Sequence, residues 1–119
     1  IIDKLRKVLI EKLGNEHFNF FNNLQLMFSV AQYLFVHAGI DPTKDLTNQS
    51  KKDYLWARSD DFFHKDFKAE KIIVHGHTPE KNVINLPYRI NIDTGSYFSG
   101  KMSCVLLNDN DDSRYFINS

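Results

Sequence analysis

The chain has 119 residues, with 15 Lys plus Arg balanced by 15 Asp plus Glu, 42% hydrophobic residues and 13% aromatic ones. This length supports one core that buries roughly two thirds of the surface an unfolded chain exposes, and the balanced, interspersed charge leaves no electrostatic footprint for nucleic acid or an anionic membrane. No apolar run approaches the ~20 residues of a spanning helix, and the single cysteine cannot close an internal disulfide.

Apolar side chains at Ile2, Leu5, Val8, Leu9 and Leu13 share one helical face, and Gly14-Asn15 is a natural stop. The stretch "EHFNFFNNLQLMF" continues as a second helix-like or turn-rich segment with Phe18, Phe21, Leu24 and Phe28 to one side. "QYLFVHAGI" is a short aromatic and β-branched run closed by glycine and predicts a strand over residues 33–37, followed by a loop over 41–48. A short helix is expected over 51–58, then irregular chain. "EKIIVHGHTP" predicts the clearest strand, 71–75, ended by Gly76 and Pro79. "YRINIDTGS" turns Ile90 and Ile92 to one face, and "KMSCVLLND" with "SRYFINS" predicts an antiparallel hairpin around "NDNDDS". Cys104, inside "MSCVLL", is expected to be a small buried residue in a reducing compartment, which places the chain in the cytoplasm. Helices first and strands later give an α/β layer arrangement. A start at Ile1 leads us to expect a fragment or a processed product, and no charged-then-apolar leader opens the chain.

The chemistry-bearing residues gather at the strand ends. His37 follows "YLFV" and precedes Ala38-Gly39, where functional side chains of α/β sheets stand; taken alone, it reads first as a partly buried imidazole bonded to a backbone carbonyl. In "VHGHTP", Gly76 permits close backbone approach and Pro79 stiffens the exit, leaving His77 just past the strand. His75 lies two residues earlier, so in extended chain both imidazoles point to one side and His75 can line the pocket or support its neighbour. Arg58, in "YLWARSDDF", suits bidentate capture of phosphate or carboxylate, or a surface ion pair with Asp60 or Asp61. Asp93 in "NIDTG" is expected to orient the following turn, with a supporting role toward a histidine as the alternative. His17 and His64 sit among polar residues and read as surface. "LGNEH" at residues 13–17 has the letters of a metallophosphatase signature in the wrong order, and it leaves a helix rather than a strand.

Taken in order, "YLFVHAGIDP", "DYLWARSDDF", "KIIVHGHTP" and "INIDTGSYFSGKMSCVLL" resemble the C-terminal half of calcineurin-like metallophosphoesterases, over about residues 33–107. Nearest in pattern are PPP-type bacterial serine/threonine protein phosphatases and the related diadenosine tetraphosphatases. The resemblance implies the C-terminal half of an αββα sandwich, with N-terminal helices followed by a mixed sheet, and residues 1–119 as one partial domain. It implies that His37 and His77 are ligands of one metal of a two-metal centre (Mn, Fe or Zn), that Arg58 holds the substrate phosphate, and that His75 carries no assigned role. The family's Asp-x-His, Gly-Asp-x-x-Asp-Arg-Gly and Gly-Asn-His-Glu motifs do not occur in this sequence. No catalytic residue is therefore assigned, weak or no metal binding is expected of the fragment, and activity is expected of the full-length parent alone. The implied reaction is phosphomonoester hydrolysis of a phosphoprotein or a phosphorylated small molecule by metal-activated water. A dinucleoside tetraphosphate hydrolase and a non-catalytic anion- or metal-binding regulatory module stand as alternatives. The missing N-terminal half or a second copy is the expected partner, with no nucleic acid and no membrane.

Overall fold

A computed structural model describes residues 1–58 and 68–119. The expected stop at Gly14 is a kink: helix α1 (Ile2–Asn22) breaks there at φ 72°, ψ 165° and resumes, and none of its residues is buried. Its C-terminus closes at Asn23, whose side-chain amide donates to the Asn19 carbonyl at 2.8 Å. His17 lies on this helix as expected, exposed, with Nδ1 donating to the Leu13 carbonyl at 3.0 Å.

Strand β1 (Met27–Val30) departs from the sequence expectation, which placed Phe28 on a helical face. A two-residue turn with Ala31 at φ 46° folds β1 back on β2 (Tyr33–Val36). Phe28 pairs with Phe35 across the strands, their ring centroids 6.3 Å apart. That cross-strand aromatic pair, of a kind worth roughly 0.2–1 kcal/mol, outweighs a helical period that has already ended at Asn22.

Beyond β2 come a 3-10 turn (Leu46–Asn48) and helix α2 (Lys51–Trp56), then β3 (Ile72–His75), β4 (Ile84–Leu86), β5 (Arg89–Asn91), the short helix α3 (Ser96–Ser99) and the hairpin β6 (Ser103–Leu107) with β7 (Arg114–Asn118). The main sheet runs β1-β2-β3-β5-β4, parallel at β2–β3 and β3–β5 and antiparallel at both edges. The irregular stretch expected after α2, with Asp60, Asp61 and His64, lies outside the described residues.

Alternation along β2 and β3 divides the core between the two faces of this sheet. Leu34 and Ile73 join Ile40 and Tyr54 on one face, under the loop and α2. Tyr33, Val74 and Ile90 face the other way and are covered by Val105, Leu107 and Phe116 of the hairpin, with Ile92 beside them as expected. The hairpin is thus a second layer with one covered face. Its outer face leaves Leu106, Tyr115 and Ile117 each more than 60% exposed. Cys104 belongs to that outer face and is exposed, contrary to expectation, because strand alternation places it with Leu106 and not with Val105.

Helix α2 is set by a capping box: Ser50 Oγ accepts from the Asp53 amide at 3.3 Å, and Asp53 Oδ2 accepts from the Ser50 amide at 2.6 Å. Near its other end the Tyr54 carbonyl accepts from the Ala38 amide at 2.8 Å, which ties α2 to the end of β2. Replacing Ser50 by Ala should cost about 1 kcal/mol in a denaturant titration. An unchanged midpoint would contradict the cap. The Lys44 ammonium, then the Ser50 amide, hold the Asp53 carboxyl down at about 2. Its contribution is complete above the ordinary value of 3.8 and is lost as pH falls toward 2.

Candidate functional site

The strands β2, β3 and β5 run parallel, so their C-terminal ends share one edge of the sheet, the place where open α/β sheets bind ligands. Backbone bonds lock the three exits together. The Gly76 amide donates to the His37 carbonyl at 2.9 Å, Ile92 to His75 at 3.0 Å, and Glu80 to Asp93 at 2.9 Å. Asn91, fully buried on β5, adds a side-chain bond of 2.8 Å to the Thr78 carbonyl and accepts from the Asp93 amide at 3.0 Å. Sequence reasoning does not single Asn91 out. Its one signal is an amide in the middle of the apolar run "RINI".

These exits enclose an open cavity of about 400 Å³ lined by Phe35, His37, His75, His77 and Asp93 among others. Within it His37 Nε2 lies 3.0 Å from His77 Nδ1, with ring centroids 4.8 Å apart. One ring donates and the other accepts. The Trp56 indole stands edge-on to His77, centroids 5.7 Å apart at 87°. Partial desolvation of a ring that remains largely exposed, then the neighbouring His77, push His37 below its usual range, with Asp93 opposing the shift. The shift favours the neutral ring, the form that carries a lone pair.

The expectation that His75 and His77 share one side of an extended chain fails at its premise. Extended backbone ends at Gly76, and His77 has φ 71°. The Thr78 amide donates to the Gly76 carbonyl at 2.9 Å across it, which makes a γ-turn of the strained, positive-φ kind. Gly76 beside it packs close to Asp93, where an added Cβ would meet the Asp93 Cβ at 3.4 Å, an ordinary contact distance. Strain of this sort is held where the surroundings over-determine it, often at functional sites. Both His77→Gly and His77→Ala remove the imidazole, but alanine keeps the left-handed penalty. The glycine variant should therefore be the more stable by about 1 kcal/mol in chemical denaturation. Equal stabilities would contradict the turn.

His75 is 3% exposed, with Nδ1 donating to the Gly76 carbonyl at 3.0 Å. Burial pushes it down to about 4, partly opposed by that bond, so it is a neutral wall of the cavity at ordinary pH. Asp93 orients the next turn as expected, its Oδ1 accepting from the Gly95 amide at 2.9 Å. Arg58 follows α2, which ends two residues before the predicted limit, and it is exposed. No hydrogen bond or ion pair joins it to the other described residues. The side chain of "LWAR" that meets a histidine is Trp56.

The donor set fits a divalent ion in part. Two imidazole nitrogens on one tetrahedral zinc stand roughly 3.3 Å apart, given Zn–N bonds of about 2.0–2.1 Å, and the observed pair is close to that separation. Among the described residues no group of three histidine, cysteine or carboxylate side chains could complete such a centre. Nor is any described helix long and apolar enough to cross a membrane.

Fold and site together define an α/β protein with paired histidines at the ends of parallel strands. The same fold is found in a crystal structure provisionally described as a diadenosine tetraphosphatase, matched over 98% of this chain and 61% of that one, with a TM-score of 0.73 and 14% identity. Among curated proteins, a 59-residue stretch, 50% of this chain, is 37% identical to the bis(5'-nucleosyl)-tetraphosphatase PrpE (asymmetrical) of Bacillus mycoides strain KBAB4 and equally to that of Bacillus cereus strain Q1. A 61-residue stretch is 34% identical to the protein of the same name from Bacillus thuringiensis strain Al Hakam. The matched part spans about a quarter of these relatives, 23% to 24% of their length. No protein-family model matches the chain.

Proposed function

We propose that this chain is the C-terminal, metal-binding part of a phosphoesterase that hydrolyses dinucleoside tetraphosphates. The carrying observation is the 3.0 Å approach of His37 Nε2 to His77 Nδ1 at the sheet edge. The names of the sequence relatives favour a dinucleoside tetraphosphate over the phosphoprotein first expected.

In this reading His37 and His77 would hold one divalent ion, whose chemistry is to polarise a phosphoryl oxygen and acidify a bound water. The chain's own residues do the rest. The γ-turn presents Nδ1 of His77, the Gly76–His37 backbone bond ties the two strand exits together, and Trp56 packs edge-on against the His77 ring. Arg58, two residues on, is the cation we assign to the phosphate chain. Bridging carboxylate and asparagine ligands would come from outside residues 1–119, which we take to be one part of a larger sandwich. The exposed Leu106–Tyr115–Ile117 face is where that remainder, or a second copy, would pack.

The test compares diadenosine tetraphosphate, p-nitrophenyl phosphate and a phosphoserine peptide as substrates of the complete gene product with manganese present. Preference for the dinucleotide is the expected result; preference for the peptide would transfer the assignment to protein phosphatases. The 119-residue chain by itself should show no metal-dependent turnover above background, because two imidazoles leave most coordination positions to water. Turnover that survives repurification would contradict this.

A further inference from the structure

We propose that a second cavity, which shares Trp56 with the histidine site, is a nucleoside subsite that takes the base and ribose at one end of a dinucleoside polyphosphate. This rests on the proposed function and adds to it the part of the substrate that the strand-end site leaves unassigned. The cavity, about 620 Å³, lies between the loop after β2 and helix α2, and its walls include Asp41, Thr43, Lys44, Lys52, Asp53 and Trp56. None of the histidines lines it. Trp56 belongs to both places, meeting the His77 ring at 5.7 Å and lining this cavity, with 63% of its surface exposed.

The charges of the walls select the ligand. Two lysines face two aspartates, and the Lys44 ammonium is spent between Asp41 at 3.1 Å and Asp53 at 2.8 Å. A bare phosphate chain would gain little there and would meet carboxylates. Asp41 already accepts from Thr43 and Lys44, and Asp53 Oδ2 from Ser50 and Lys44, so the walls are internally neutralised and favour an uncharged group with a flat π face, which a nucleoside is. An exposed indole is a stacking platform for a base, of any sequence, since every base has such a face. A peptide fits less well: extended peptides add to open strand edges, and β2, which leads into this cavity, is an interior strand flanked by β1 and β3. Because Trp56 meets His77 and also lines this cavity, the phosphates would lie toward the histidine pair and the nucleoside in the cavity.

Trp56 is the single tryptophan of the chain, so its emission reports the indole that the two places share, and competition between ligands separates them. The experiment titrates the protein with adenosine, tripolyphosphate, a phosphoserine peptide and diadenosine tetraphosphate in the absence of metal. Adenosine should quench Trp56 saturably and compete with the dinucleotide, while tripolyphosphate should not. By calorimetry, Trp56→Ala should weaken adenosine binding about five- to hundredfold, with Trp56→Phe recovering part of the loss. A response to tripolyphosphate or to the peptide without one to adenosine would overturn the subsite, as would unchanged adenosine affinity in Trp56→Ala. The two readings fail separately. Preferred hydrolysis of diadenosine tetraphosphate with no adenosine binding leaves the function standing and removes the subsite. Adenosine binding together with a preference for the phosphopeptide keeps the subsite as a nucleoside site and removes the proposed substrate.

Discussion

Alanine in place of His37 or His77 should lower hydrolysis of diadenosine tetraphosphate by the complete gene product by about a hundredfold or more, since loss of even an outer partner of a metal ligand costs roughly 10- to 100-fold. The geometry says why either single change suffices. Each ring supplies one of two nitrogens 3.0 Å apart, and neither has a described third histidine, cysteine or carboxylate to replace its partner. His37 is exposed and His77 half-buried, so neither variant loses much packing, and far-UV circular dichroism should be unchanged. Undiminished activity in either variant would mean that the pair is a polar contact between loops and nothing more.

The largest effect on stability should come from Ile73→Ala, which is expected to cost about 2–5 kcal/mol. Ile73 is 0% exposed at the centre of the sheet, with Leu34 and Arg89 as its register partners and Ile40 and Tyr54 packed over it. Against the ~5–15 kcal/mol that usually separates folded from unfolded, that is a large fraction, and the cavity would also unseat the helix that carries Trp56. Leu106→Ala, on the exposed face of the hairpin, should stay within about 0.5 kcal/mol in the monomer. Urea titrations of the two variants should differ in midpoint. Similar midpoints would show that the core is not between this sheet and α2.

Legibility from sequence is greatest where the physics is local. The runs "YLFV" and "KIIVH" announce β2 and β3 because each is short, apolar and closed by glycine, and "NDNDDS" between alternating segments announces the hairpin. β1 is hidden because "MFSV" continues a helical spacing from Phe18, and only the partner Phe35 decides otherwise. β4 is three residues long and is defined by its pairing with β5, a contact that no local period reveals. Cys104 misleads for a related reason: an apolar run looks buried, yet in a two-stranded layer half of it faces out. The approach of residues 37 and 77 is legible only through the order of the motifs. The positive φ sits on His77 rather than on the neighbouring glycine, which composition cannot indicate.

If two particular nitrogens bind one ion, imidazole nitrogen-15 spectra of the chain during a zinc titration will show it atom by atom. Nε2 of His37 and Nδ1 of His77 should shift together and saturate together, while the ring nitrogens of His17 and the buried His75 hold their positions. Shifts confined to other histidines, or metal entering through the opposite nitrogen of either ring, would contradict the site.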